Sequence, residues 1–566
     1  MHKAIIPLLY VLIFSVSNLF AGNGSKPHYN DKDINHIVSQ LTLEQKARLL
    51  VGCPGSDKGV SHIVAGSAGY TFPIDSLGIP SINLADGPVG VRITPVLPNK
   101  PYTSYCTCFP STTALAATWN KDIARLEGNA IGDEALAYGV DIVLTPGINI
   151  MRNPLCGRNF EYFSEDPYLS GIMGAAMING IQDKGIGASL KHFIANNQQT
   201  GKLYNDARIS QRAIREIYLK GFEICIKNSD PWTVMGSYNK IGGQYTQANP
   251  ELLRTILRNE WNYNGLIVTD WYKKRDTADQ LNGGTDLMMP GEQSQVDEII
   301  AGVKNGRISE TTLNKSVKYV LKLISKSISN KGWEYNEAPD LAANAALARR
   351  IATEGMVLLK NDRSFLPISQ GAKIALFGAT AYKSIAGGTG SSNVNKAHIT
   401  DISTGLEKGG YTLSNRLKGL YTKFVEFQND LLDKHPESTD WEKLSYNRTV
   451  IAEMDLSKAE SIIGQEAKNS DIALIVIGRG SGEESDRRLE GDFYLTPEEK
   501  FMIENVSSQF HAAGKKVAVV MNVCGVMEMN SWKDEPDAIL LAWFPGQECG
   551  DAIADVISGK ANPSGK

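Results

Sequence analysis

The 566-residue chain has no long basic run, few cysteines and, after its first sixteen residues, no apolar stretch long enough to cross a bilayer. Its 58 Lys and Arg face 62 Asp and Glu, for a formal net charge of −4. That balance offers no attraction for a polyanion, so no nucleic-acid partner is expected. The seven cysteines (Cys53, Cys106, Cys108, Cys156, Cys225, Cys524 and Cys549) are scattered and odd in number, so at least one is unpaired within the chain. A protein of this size folds without a disulfide framework. Cys106 and Cys108 flank a single threonine. Structural zinc needs a different spacing and a second ligand pair. No metal and no cofactor is expected.

The N-terminus is different in kind. Lys3 precedes an almost wholly apolar run from Ala4 to Val16, and small and polar residues follow. This pattern is that of a secretory signal peptide spanning 1–21, cut near Ala21. The run is short for a membrane span, and the first cysteine is too distant to carry a lipid at the cut. The expected localisation is secreted, either periplasmic or extracellular, without stable membrane insertion. A homo-oligomer is left open.

What the chain does contain is a repeated α/β theme. Short apolar runs ending in polar residues recur at Ser81–Asp86, Asp141–Pro146, Gly187–His192, Trp232–Asn239, Gly265–Asp270 and Gly284–Met289. Helix-like stretches separate them. Strands that alternate with helices argue for parallel βαβ units, and six in succession suggest a (β/α) TIM-like barrel over 22–330. The rhythm is lost at Lys331–Asn344, giving a linker over 331–345. A helix read from AALARRIATEGMVLLKND restarts it, and apolar strands follow at Lys373–Gly378, Ile472–Gly478, Lys516–Met521 and Ala538–Phe544. These predict a parallel three-layer α/β sandwich domain over 346–566.

In such folds reactive groups gather at the carboxyl ends of parallel strands. The octet GLIVTDWY puts Asp270 at one such end with Trp271 beside it. Taken alone, Asp270 is equally well read as a helix N-cap. Asp86, Lys191, His192 and Tyr238 end other runs, and so many polar groups at one barrel mouth are hard to explain by stability alone. For Met235, burial in the core is the stronger reading. The loop GGTGSSN (387–393) follows a strand but lacks the pattern of a phosphate-binding loop, so no nucleotide is expected.

Eight motifs fall in one order along the chain: LTLEQKARLL (41–50), ADGPVGVR (85–92), GRNFEYFSEDPYLSG (157–171), KHFIANNQQT (191–200), VMGSYNKIGG (234–243), GLIVTDWY (265–272), GGTGSSN (387–393) and SGEESDRRLEGDFYLT (481–496). With them the chain resembles glycoside hydrolase family 3, its bacterial β-glucosidases above all. The resemblance implies a retaining, exo-acting β-glucosidase that releases glucose from non-reducing ends of β-glucosides through a covalent glycosyl-enzyme. It assigns Asp270 as nucleophile and Glu483 as acid/base, a pair that retaining chemistry places about 5–5.5 Å apart. It implies a sugar-binding set of Asp86, Arg92, Arg158, Lys191, His192, Met235, Tyr238, Trp271 and Ser391. Glu161 and Asp166 read as structural, capping or bracing Arg158. The family motif resembles SGEGxDR, whereas this chain has Glu484 at the second glycine. An adjacent acid would be expected to raise the pKa of one partner, as a general acid requires. Without the resemblance, SGEESDRR would read as an exposed charged loop. The alternatives are a β-xylosidase, β-galactosidase or other β-glycosidase of the same family, or a catalytically weak sugar-binding fragment. Members specialised for N-acetylglucosamine resemble KHFPGHG after the Lys-His pair, and KHFIANNQQT lacks that His. Relatives usually continue past NPSGK, so a C-terminal fibronectin-like domain is expected to be absent.

Overall fold

A computed structural model describes residues 29, 31–55, 64, 66–93, 103–271, 275–433 and 452–566. The signal-peptide segment 1–21 lies outside the described residues. Among those described, no helix is long and apolar enough to cross a membrane.

The first half is built on a curled, mostly parallel sheet. Its strands are β1 (Cys53–Pro54), β2 (Gly69–Tyr70), β3 (Asn83–Asp86), β4 (Ile142–Leu144), β5 (Gly187–Phe193), β7 (Thr233–Gly236) and β10 (Leu266–Val268), hydrogen-bonded in that order. A small satellite sheet holds β6 (Asp206–Ala207), β8 (Lys240–Ile241) and β9 (Gln244–Tyr245). From β3 to β10 the pairing is parallel, as in Leu84 with Ile142 and Ser189 with Thr233. The isolated bridges Val268–Leu287 and Val51–Met288 continue it past β10 and back to the chain ahead of β1. Every one of the six runs read from the sequence therefore lies in or beside this curl. The regular barrel pattern fails at its start: β2 runs antiparallel to both β1 and β3, and only a single 3-10 turn, Asp75–Leu77, stands between β2 and β3. Two-residue strands carry too little periodicity to be seen in sequence.

Helices Lys121–Tyr138, Pro167–Asp183 and Lys220–Ser229 cover the outside of the curl. Asn120 caps the first through the amides of Asp122 and Ile123, and Asp166 caps the second through the amide of Tyr168, with Pro167 at its first turn. Both devices satisfy amides that a helix start leaves unpaired. Asp166 thus has the structural role read for it.

The second half is a six-stranded sheet ordered β11 (Val357–Asn361), β16 (Ala538–Leu541), β15 (Lys516–Val523), β14 (Ile472–Arg479), β12 (Lys373–Phe377), β13 (Thr412–Leu413). All pairs are parallel except β11 with β16. Apolar residues fill both faces. On one side Phe377, Ile475 and Val519 pack with Leu417, Ile463, Met502 and Phe510 of covering helices. On the other, Leu376, Leu474 and Val520 pack with Ile402, Leu406 and Ile553. This is the expected three-layer sandwich. The linking helix is shorter than read: it spans Leu341–Gly355, capped by Asp340, and MVLLKND leaves it as an edge strand. Val357 to Asn361 find unpaired backbone partners on β16, and this tertiary pairing outweighs their local helical pattern. Cys106, Cys108, Cys156, Cys225, Cys524 and Cys549 are buried free thiols.

Candidate active site

The carboxyl ends of the first sheet's strands face a cavity of about 610 Å³, and loops of the second half form its opposite wall. All eleven residues singled out from the sequence line it. Asp86 is the last residue of β3, Lys191 and His192 sit within β5, and Met235 within β7. Asp270 stands two residues beyond β10. Ser391 lies in the turn Gly390–Ser392, and Glu483 follows β14. The two predicted carboxylates thus reach one cavity from different halves of the chain.

Asp270 is buried. Its Oδ1 accepts the Trp271 amide at 2.8 Å, while Oδ2 has no hydrogen-bond partner and lies 4.0 Å from His192 Nε2. Burial pushes its pKa up to about 6, against the charges of Arg158 and Lys202 and the Trp271 amide. Tyr238 holds the backbone here: its hydroxyl donates to the Trp271 carbonyl at 2.7 Å and accepts the Trp271 amide at 3.2 Å. Trp271 is pinned by its indole N–H on the Ala68 carbonyl, 2.9 Å away. An unpaired oxygen on a fixed carboxylate, facing a cavity, is free to engage a bound molecule.

His192 is neutral, since burial and then the charges of Arg158, Lys191 and Lys202 push its pKa well below the usual value. The Tyr162 hydroxyl accepts from Asn196 and lies 3.2 Å from His192 Nδ1. Donating its proton there assigns the imidazole hydrogen to Nε2, the nitrogen that faces Asp270.

Arg158 is buried and organises the opposite wall. Its Nη2 donates to Glu161, and it lies 3.3 Å from Glu483 Oε1 and 3.4 Å from the Ser391 hydroxyl. Glu161 also accepts from Ser392 at 3.1 Å, so it braces Arg158 against the second half. Arg92 donates to Asp86 at 3.2 Å, leaving the other Asp86 oxygen for a ligand. Burial raises the Asp86 pKa, and Lys191 and Arg92 oppose it.

Glu483 corrects one expectation. Its Oε1 accepts both the amide and the hydroxyl of Ser391, and Lys202 Nζ stands 3.8 Å from Oε2. Burial alone would raise its pKa, but Arg158, Lys202 and Ser391 together outweigh burial and hold it well below the carboxylate range. The neighbouring acid does not raise it, because Glu484 turns to Lys202, at 2.6 Å. Nor is SGEESDRR simply an exposed loop. Asp486 accepts the amides of Gly157, Gln199 and Thr200 at 2.9 to 3.1 Å, and the Ser481 hydroxyl donates to the Gly157 carbonyl. Arg487 is buried on Asp492 and the carbonyls of Pro154 and Val526. At Gly157 any Cβ would come within 2.0 Å of the Ser485 carbonyl oxygen, so only glycine allows this approach.

Lys202 is the site residue that the sequence reading missed. Almost fully buried, it bridges the two halves and stands 4.9 Å above the Tyr238 ring. It lies beyond the KHF motif in a polar loop without periodicity, so its sequence setting carries no signal.

Fold and site together define a two-domain α/β protein whose cleft draws carboxylates from both halves, Asp86 and Asp270 from the first and Glu483 and Glu484 from the second. The model of the glycosyl hydrolase family 3 N terminal domain matches residues 101–323, and that of the glycosyl hydrolase family 3 C-terminal domain matches 356–566. The chain belongs to glycosyl hydrolase family 3. It is 37% identical over 542 residues to thermostable beta-glucosidase B of Acetivibrio thermocellus, covering 94% of this chain and 65% of that one. An exo-alpha-(1->6)-L-arabinopyranosidase of Bifidobacterium longum is 34% identical, again with 94% and 65% covered. The chain therefore spans about 65% of the length of these curated relatives. Among solved structures, beta-glucosidase 3B from Thermotoga neapolitana in complex with glucose superposes with a TM-score of 0.89 at 42% identity, covering 94% of this chain and 75% of that one.

Proposed function

We propose that the protein is a retaining, exo-acting β-glucosidase. The observation that carries the reading is the meeting of Asp270 and Glu483, from different halves of the chain, in a cavity with room for a pyranose ring and its leaving group. Asp270 attacks the anomeric carbon through its unpaired Oδ2. Glu483 protonates the leaving oxygen and later takes a proton from the attacking water. Asp86, Arg158, Lys191 and His192 hold the hydroxyls of the sugar, and Trp271 supplies an apolar wall. In the free site Glu483 is ionised, so substrate must shift that balance. A leaving oxygen seated at Glu483 displaces the Ser391 hydroxyl, removes one stabilising hydrogen bond and lifts the carboxyl toward protonation.

The sugar is proposed as glucose because a glucose complex superposes over almost the whole chain. A relative named for an arabinopyranoside shows that family membership alone leaves the sugar open. The test is a panel of aryl β-glucoside, β-xyloside, β-galactoside and α-L-arabinopyranoside, followed by trapping with a 2-fluoro glucoside and peptide mass spectrometry. Glucoside preference with label on Asp270 supports the proposal. A panel led by another sugar refutes the substrate, and label on a different residue refutes the mechanism. Export through the 1–21 segment is proposed as well, and cell fractionation that finds the full-length chain in the cytoplasm would refute it.

A further inference from the structure

We propose that Glu484 is a positioning residue whose carboxylate holds the Lys202 ammonium off Glu483 and so sets the acid strength available at the cleft. The inference rests on the catalytic roles proposed above for Asp270 and Glu483.

Two independent observations carry it. The first is backbone geometry. Glu484 has φ +79°, in the left-handed region that suits glycine and disfavours any residue with a Cβ. Glycine would sit there without strain, so the glutamate carries a backbone cost that the glycine would not. The second is the contact it makes. Glu484 Oε1 lies 2.6 Å from Lys202 Nζ, whereas Glu483 Oε2 lies 3.8 Å from the same nitrogen. The buried lysine therefore sits between two carboxylates and makes its hydrogen bond to the outer one. Both glutamates and the lysine line the same cavity.

The surroundings leave few other sources of control. Glu483 is faced by Arg158 from the loop after β4, Lys191 from β5, Lys202 from the loop after β5 and Ser391 from the second half. The carboxylates of Asp86 and Asp270 face it across the cavity. Arg158 is shared with Glu161, and the Tyr238 ring lies beneath Lys202. Arg158 and Lys202 each have their nearest partner outside the reacting pair, and of those partners Glu161 is buried whereas Glu484 stands half exposed at the rim. Neutralising Glu484 leaves the full positive charge of Lys202 to Glu483. That favours the ionised form of Glu483 and makes it a poorer proton donor at a given pH.

The experiment measures the pH dependence of kcat, which reports the substrate complex, for the full chain and for Glu484→Gln, Glu484→Gly and Glu484→Asp. One substrate is an aryl β-glucoside, whose leaving group needs little protonation, and the other an alkyl β-glucoside, which needs it fully. The alkaline limb on the alkyl glucoside is expected to move down by about one pH unit in both Gln and Gly variants, a loss of about tenfold at the wild-type limb. The aryl glucoside should barely respond, and the Asp variant should keep the wild-type profile. A Gln profile that overlays the wild type overturns the proposal. So does a shift seen with Gly alone, since that assigns the effect to the backbone. If the wild type cleaves neither glucoside, the functional reading fails, and the tether is then tested without turnover. In a Glu483→Gln background, adding Glu484→Gln should speed reductive methylation of Lys202 about tenfold by mass spectrometry. An unchanged rate overturns the tether itself.

Discussion

Replacing Asp486 with Ala should loosen the hold of the acid loop on the first half while leaving each core intact. The carboxylate accepts three backbone amides at 2.9 to 3.1 Å, one from the loop of Gly157 and two from Gln199 and Thr200. The site is partly open to solvent, so each bond is worth about 1 kcal/mol rather than the larger figure for a buried charge. Their sum, about 3 kcal/mol, corresponds to an opening of this contact roughly a hundredfold more frequent. Glu483 lies three residues upstream on the same loop, and a carboxyl displaced by about 1 Å costs on the order of a hundredfold in rate. Hydrogen exchange reads the first effect at the amides of Gly157, Gln199 and Thr200. Turnover of an aryl β-glucoside reads the second. Asp486→Asn, which keeps an acceptor oxygen and loses the charge, should fall between. Wild-type exchange and wild-type turnover in the Ala variant would refute the reasoning, because the loop would then be held by something else.

Asp270→Asn should abolish turnover by about 10⁴-fold or more, since no other carboxylate in the cavity can take its place, and steady-state kinetics with 2-fluoro trapping would check it. The same substitution should stabilise the fold near pH 7. The folded pKa of about 6 lies above the ordinary 3.8, so the ionised form costs up to about 3 kcal/mol, a cost absent below pH 3.8; melting curves at pH 4 and 7 test the sign. With an aryl β-glucoside whose leaving group needs little protonation, kcat/KM requires only the ionised carboxylate of Asp270, so it should rise through about pH 6, and a rise near pH 4 would assign it to another group. Glu127 is buried with its pKa raised to about 8 by burial, so it confers stability below pH 4.5 that drains away as pH rises through 8. Glu127→Gln should flatten that slope in a melting-temperature series, and an unchanged slope would assign it to other groups.

Much of the site was legible because strand ends obey a rule. Asp86, Lys191, Tyr238 and Asp270 each close or directly follow a run with clear period and burial, and topology brings such ends to one mouth. Elements without period were not legible. β1 and β2 are two residues long, and β11 reads locally as helix until β16 offers it a partner. The charge state of Glu483 was misread for a related reason. Sequence places Glu484 beside it, but the charges that decide its acidity come from Arg158 and Lys202, some 280 to 325 residues away. Asp486 belongs to the same class: its partners are distant amides, which no motif records.

The division of the cleft between two halves has a consequence for how the molecule can fail. Asp86, Lys191, His192, Tyr238 and Asp270 all belong to the first half, whereas Glu483 and Ser391 reach across from the second. On the roles proposed above, any solvent, protease or variant that parts the two would leave most of the sugar-binding wall in place and take away the proton donor together with Ser391. The protein would then become a lectin before it became an unfolded chain, and loss of turnover would sense the parting of the halves well ahead of any change in secondary structure.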